Sequence, residues 1–130
     1  MLKRFKVDPK LDITIYLPPK RSYTSQIDTK RVQPIAELVE LAHQRALKGD
    51  IFGALTLNGM LYSSALNYDP SPALNALGAG ALAAGLTGTG PAVVAISKGK
   101  STEEIRKIWR NRPGRVIETR PSVRGARVEK

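Results

Sequence analysis

No cysteine occurs among the 130 residues, which removes disulfides, thiolate metal sites and a thiol nucleophile from consideration. Histidine is nearly absent as well: His43 stands alone, too little for a histidine metal centre or a Ser-His pair. Aromatic residues make up only 5% of the chain, and the interleaved aromatic and basic run of an RNA-binding sheet has no counterpart. Apolar runs are short, and none approaches the ~20 residues needed to span a bilayer. The basic start, Met-Leu-Lys-Arg-Phe-Lys, is followed by Asp8, Pro9 and Lys10 in place of an apolar signal core. These absences lead us to expect a soluble, cytoplasmic protein with no membrane partner.

Positive charge is present in quantity. Twenty-one Lys and Arg against 11 Asp and Glu give a formal net charge of +10. The basic residues gather at both ends: Lys3, Arg4, Lys6, Lys10, Lys20 and Arg21, then Arg106, Lys107, Arg110, Arg112, Arg115, Arg120, Arg124 and Arg127. Residues 50–97 carry almost no charge. Such a balance favours anionic partners, either nucleic acid or small phosphorylated and carboxylated molecules. The length suits one domain over residues 1–130, able to bury roughly two-thirds of its unfolded surface.

Strict alternation over residues 11–17 (Leu-Asp-Ile-Thr-Ile-Tyr-Leu) predicts a half-buried strand, ended by Pro18 and Pro19. Residues 22–28 are polar and read as a loop. A helix then opens between Thr29 and Pro34, with Ile35, Leu38, Val39, Ala42 and Ala46 as its apolar stripe. His43 lies beside that stripe as an edge residue. Gly49 ends this helix and Asp50 caps the next, residues 51–66, which is apolar nearly all round and therefore expected to be largely buried.

Asn-Tyr-Asp-Pro-Ser-Pro over residues 67–72 predicts a turn and a helix start, with Asp69 or Ser71 as cap and Pro72 near the first helical position. A small-residue helix is expected over 73–84. A strand follows at 91–96. Next comes a helix opened by Ser-Thr-Glu-Glu at 101–104 and anchored by Trp109, then strands at 115–119 and 125–129. The order implies an α+β fold: a mainly antiparallel sheet with helices packed on one face, a two-layer sandwich.

The chemistry-bearing stretch is residues 82–96, Leu-Ala-Ala-Gly-Leu-Thr-Gly-Thr-Gly-Pro-Ala-Val-Val-Ala-Ile. Gly85, Gly88 and Gly90 free the backbone, so that N–H groups can converge into an anion-binding concavity. Thr87 and Thr89 add hydroxyls able to donate to phosphate oxygens. The glycine spacing from Gly85 to Gly90 suits a P-loop, but Pro91 and Ala92 stand where Lys and Ser/Thr belong. The loop is also read as running from helix to strand, the wrong order, with Gly85 at the helix C′ position. Gly78-Ala-Gly80 fails as a dinucleotide fingerprint because no strand precedes it.

With its Leu-Thr-Gly-Thr-Gly-Pro-Ala core, this stretch resembles the third signature motif of the GHMP small-molecule kinases (galacto-, homoserine, mevalonate and phosphomevalonate kinases). The archaeal-type shikimate kinases are the nearest branch. Ala-Leu-Thr-Leu-Asn-Gly-Met-Leu-Tyr-Ser-Ser-Ala-Leu-Asn-Tyr-Asp at 54–69 supports the resemblance, as do Val-Ile-Glu-Thr-Arg at 116–120 and Gly-Ala-Arg-Val at 125–128. It spans essentially the whole chain, yet covers only the C-terminal, ferredoxin-like domain of such a kinase. The Pro-x-x-x-Gly-Leu-Gly-Ser-Ser loop that wraps ATP in the family's N-terminal domain has no counterpart here. Ser63-Ser64 follows Leu61-Tyr62 and is no substitute.

The resemblance implies the C-terminal part of an ATP-dependent shikimate kinase using ATP and Mg2+, inactive without an N-terminal half supplied in cis or in trans. It implies that Gly85, Thr87, Gly88, Thr89 and Gly90 support the nucleotide phosphates. On the acceptor side it implies Tyr62, Ser63, Asn67, Tyr68 and Asp69. It offers no catalytic base and no metal ligand in this chain. Basic residues of the C-terminal strands, Arg124 among them, are suited to attract an acceptor carboxylate, although related sequences often carry smaller polar residues at Arg124. Residues 2–10 read as interior sequence leading in from a preceding domain, so an exposed apolar face and self-association are expected. The alternatives are a homoserine kinase-like domain, and a non-catalytic basic module for a nucleotide, a phosphometabolite or RNA.

Overall fold

A computed structural model describes residues 3–19, 29–126 and 128. The expected loop at 22–28 and the basic residues Lys20, Arg21 and Arg127 lie outside the described residues. Strand β1 (Asp12–Leu17) is followed by a short helix α1 (Thr29–Val32), which passes through a 3-10 turn into α2 (Ala36–Leu47). Helices α3 (Ile51–Ala65) and α4 (Ser71–Gly78), strands β2 (Ala83–Leu86) and β3 (Val93–Ser97), helix α5 (Lys100–Arg110) and strand β4 (Arg115–Thr119) complete the order. The four strands form one antiparallel sheet in the order β2-β3-β1-β4. This is the α+β architecture that the alternation and capping signals predicted.

The register assigns the faces. Thr14 lies opposite Ala95, Tyr16 opposite Val93, and Leu86 also opposite Val93. Side chains at these positions share one face, because the strand period is two. They meet α4 and α5 in a core of Tyr16, Ala73, Ala76, Ala84, Leu86, Val93, Ala95, Ile105 and Trp109. The expected anchor, Trp109, is 0% exposed, and its indole N–H donates to the Pro72 carbonyl at 3.0 Å. A buried polar line closes the other end of this layer. The Thr102 hydroxyl donates to Asp12 Oδ2 at 2.8 Å and lies 2.7 Å from the Ser97 hydroxyl.

Helix α3 runs along β2, whose outer edge would otherwise present unpaired backbone groups. The Ala84 N–H donates to Thr56 Oγ1 at 3.2 Å, so a helix side chain satisfies the strand edge. The approach is close because two glycines face each other. A Cβ on Gly59 would lie 2.6 Å from Gly85 Cα, and one on Gly85 would lie 2.8 Å from the Leu55 carbonyl oxygen.

Four expectations are corrected. The small-residue helix does not reach residue 84: α4 ends at Gly78, Gly80 turns the chain at φ +102°, and residues 83–86 are strand. Gly85 is therefore an interior strand residue, and the glycine loop joins strand to strand. Helix α3 is mostly half-buried rather than fully buried, since the sheet edge and α2 cover only part of its circumference. In α2, Ala42 is buried but Leu38 of the expected stripe is 45% exposed, because the helix packs chiefly on α3 and forms an outer layer. No strand is formed at residues 125, 126 or 128. His43 is exposed, as an edge residue should be.

Candidate functional site

The loop between β2 and β3 is a tight hairpin connection whose closure consumes part of its donor set. The Thr87 N–H donates to the Ala92 carbonyl at 2.9 Å and the Gly90 N–H to the Thr87 carbonyl at 3.0 Å. The Thr87 hydroxyl points at the same Ala92 carbonyl, 3.5 Å away. The N–H groups of Gly88 and Thr89, and the Thr89 hydroxyl, have no partner among the described residues. The apex of the loop thus offers two backbone donors and one hydroxyl. Gly88 and Gly90 sit at φ +57° and +76°, the left-handed region that an L side chain enters at a cost of about 1–2 kcal/mol. At Gly90 space is short as well, since a Cβ would lie 2.8 Å from the Tyr68 ring.

Tyr68 reaches the loop through the end of α3. Asn67 adopts φ +60°, a conformation that asparagine tolerates, and the Tyr68 N–H returns to the Ser63 carbonyl at 2.9 Å. This helix-ending turn carries the chain into Asp69, which opens α4. Asp69 Oδ1 accepts the Ser71 N–H at 2.9 Å and the Ser71 hydroxyl. Its other oxygen faces Arg112, whose Nη2 is 3.1 Å from Oδ2. These donors, the Ser71 hydroxyl foremost, then the Ser71 N–H and Arg112, hold the Asp69 carboxyl below the usual carboxylate range.

The same end of the sheet carries a half-open cavity of about 620 Å³ whose walls include Tyr16, Tyr68, Asp69, Pro91, Val93 and Arg112. That volume lies within the range of small-molecule sites, about 300–1,000 Å³. Tyr16 belongs at once to the core and to this wall, and its hydroxyl donates to the Pro113 carbonyl at 2.5 Å.

Of the acceptor-side residues read from the sequence, Tyr68 and Asp69 line the cavity, and Asn67 forms the turn that presents them. Tyr62 and Ser63 lie on α3 and do not line it; Ser63 is buried and Tyr62 packs against the core. Gly85 lies away from the loop apex, against α3. Arg124 is held in a local turn with Ser122 and lines a different depression with Arg4 and Lys6. Arg112 is the residue that sequence reasoning passed over, as one of eight basic residues in a run with no period.

Among the described residues no three of His, Asp and Glu come together as a metal-binding group. The one carboxylate lining the cavity among the described residues, Asp69, is engaged by Ser71 and Arg112. No helix among the described residues is long and apolar enough to cross a membrane.

Comparison with known proteins agrees with this architecture. Residues 33–115 match the family model described as GHMP kinases C terminal. The chain is 45% identical over 116 residues to the shikimate kinase of Methanothermobacter thermautotrophicus, covering 89% of this chain and 40% of that protein. It is 38% identical over 128 residues to the shikimate kinase of Methanocella arvoryzae, covering 97% of this chain and 43% of that one. Among solved structures, homoserine kinase from Cytophaga hutchinsonii superposes with a TM-score of 0.59 at 19% identity, over 90% of this chain and 44% of that one. That likeness shows the fold. The chain spans about two fifths of the length of the curated relatives it matches. The match over residues 33–115 takes in α3, the glycine hairpin and α5 together, and on that ground the chain belongs to the GHMP kinase C-terminal family.

Proposed function

We propose that this chain is the C-terminal part of an ATP-dependent shikimate kinase, moving the γ-phosphoryl of ATP to the 3-hydroxyl of shikimate. The observation that carries the reading is the 45% identity to a protein named shikimate kinase over 89% of this chain. The placement of the hairpin beside a small-molecule-sized cavity supports it.

Phosphoryl transfer depends on positioning and on neutralising the charge of the transferred group. In this reading the Gly88 and Thr89 N–H groups and the Thr89 hydroxyl donate to phosphate oxygens, while Tyr68 braces the loop through its contact at Gly90. The acceptor lies in the cavity between Tyr16, Tyr68 and Arg112. Asp69 is not the base that takes the acceptor proton, because three donors already occupy its oxygens and hold it ionised. Base and nucleotide loop come from the N-terminal half, in cis or in trans, in the cytoplasm. Mg2+ bound with ATP would supply charge neutralisation of the phosphates.

The test is a coupled kinase assay on the chain joined with its N-terminal half, with shikimate and homoserine compared as acceptors. Turnover with shikimate, falling at least tenfold in Thr89→Ala, is the expected result. Turnover with homoserine alone would replace the acceptor. Turnover with neither, together with ligand binding that falls steeply with salt, would establish a nucleic-acid-binding module instead.

A further inference from the structure

We propose that Arg112 is the specificity-determining anchor for a carboxylate on the acceptor, a role that rests on the kinase reading and adds to it a residue and a ligand group.

Arg112 follows the C-terminal cap of α5, in the turn that leads to β4. Its guanidinium lies over the Tyr16 ring, 5.7 Å from the centroid, and the ring itself is fixed by the core and by its bond to the Pro113 carbonyl. Stacking of this kind holds a guanidinium plane in one orientation while leaving its N–H edges available. The side chain is 27% exposed, the least of any cation in the ion pairs among the described residues; the others range from 34% to 72%. Among the described residues it is also the only cation on the cavity wall.

The pairing with Asp69 is monodentate. One nitrogen, Nη2, meets Oδ2, and the second carboxylate oxygen is turned toward Ser71. A guanidinium has five N–H donors in a fixed fork, of which this contact uses one. The pair therefore orients Arg112 without saturating it, and a bidentate carboxylate can dock on the remaining edge.

The rest of the wall suits what such an anion is attached to. Pro18, Pro72, Pro91, Val93 and the two tyrosines present apolar faces to a small ring. Pro91 directly follows the hairpin apex, so a molecule anchored at Arg112 lies beside the loop assigned to phosphate. The ligand class is a small cyclic hydroxy acid held by its carboxylate, with a hydroxyl toward the loop.

The experiment measures equilibrium binding of shikimate and of shikimate methyl ester to the chain assembled with its N-terminal half, by calorimetry, together with steady-state kinetics. Arg112→Ala is expected to weaken shikimate binding roughly 10- to 100-fold, the loss of a charge-assisted hydrogen-bonded pair. It should raise KM for shikimate more than it lowers kcat, and leave KM for ATP and the affinity for the ester unchanged. Arg112→Lys should recover part of the loss. Arg110→Ala, which removes a cation paired only with Glu118 on the surface, should behave as wild type. An Arg112→Ala protein that binds shikimate as tightly as wild type, or that loses the ester equally, overturns the proposal and leaves the kinase reading standing. Arg112-dependent binding of a different carboxylate, without shikimate binding, would sustain the anchor and overturn the acceptor. Binding of no carboxylate by the assembled wild-type protein overturns both.

Discussion

Replacing Gly59 by Ala is a test of sign. In an open helix interior this change is stabilising by about 1 kcal/mol, because alanine gives up less backbone freedom on folding than glycine. At Gly59 the new methyl would lie 2.6 Å from Gly85 Cα and 2.8 Å from the Leu86 nitrogen. Both are strand backbone atoms, which cannot swing aside as a side-chain end does. Relief requires α3 to move outward by close to 1 Å. That movement lengthens the Thr56 to Ala84 bond, already 3.2 Å, and opens the packing along the whole strand edge.

Against backbone that cannot yield, overpacking falls in the upper part of its usual range, about 2–3 kcal/mol, and outweighs the propensity gain. The expected net effect is a loss of about 1–2 kcal/mol, or a fall in Tm of roughly 4–10 °C for a domain of this size. Gly78→Ala serves as the internal control. That glycine ends α4 with nothing within 4 Å of the added carbon, so the change should be neutral or stabilising by up to about 1 kcal/mol. Urea and thermal unfolding followed by circular dichroism measure both, with an unchanged m-value showing that the native state is the one affected. A Gly59→Ala protein as stable as wild type would refute the close-approach argument, since only the clash can reverse the sign.

Three further outcomes follow from single contacts. Thr14 is 0% exposed and its hydroxyl has no partner among the described residues, so Thr14→Val should stabilise by about 1 kcal/mol in urea unfolding. A loss of more than that would show the hydroxyl to be satisfied by a bound water. Asp69 titrates below its unfolded-state value, so its contribution is complete above the unfolded pKa and is lost as pH falls through the folded one. With its side chain 58% exposed the contribution is screened and small. Asp69→Asn should flatten the decline in stability below about pH 5, and an unchanged acid slope would remove Asp69 from the account. Gly90→Ala places a methyl 2.8 Å from the Tyr68 ring at φ +76° and should lower phosphoryl transfer more than tenfold with the fold retained. Gly88→Ala, with nothing within 4 Å, should cost less. Equal turnover for Gly90→Ala and wild type would detach the loop from the chemistry.

The legible elements are those whose residues carry a period or a cap. Alternation from Asp12 to Leu17 gave β1, and Asp50, accepting the Gly53 N–H at 2.9 Å, marked the start of α3. Asp69 and the prolines marked α4, and Ile105 with Trp109 marked the core face of α5. The misplaced boundary lies where every residue but Leu82 is small. Residues 79–85 are Ala-Gly-Ala-Leu-Ala-Ala-Gly, and Ala and Gly show no face, so neither the helical nor the strand period can be read from them. Gly80 and Gly85 were both available as punctuation, and only tertiary contact decides between them: Gly80 turns the chain, while Gly85 lets a helix approach.

The same blindness hid Arg112. Nothing in a basic C-terminal run distinguishes one arginine from its neighbours, and the partner that distinguishes this one lies 43 residues away. The sequence signal was Asp69, read with Ser71 as a candidate helix cap; the cap position is Pro70 instead, and Asp69 stands one residue before it, bound to Ser71 of the first turn. A carboxylate has two oxygens, however, and the bonds to Ser71 occupy only Oδ1. The second oxygen is free to orient a cation at the cavity, and it does so for Arg112. Bracing the start of α4 and building the site are therefore one arrangement at Asp69, and Asp69→Asn should disturb the orientation of Arg112 as well as the acid stability of α4.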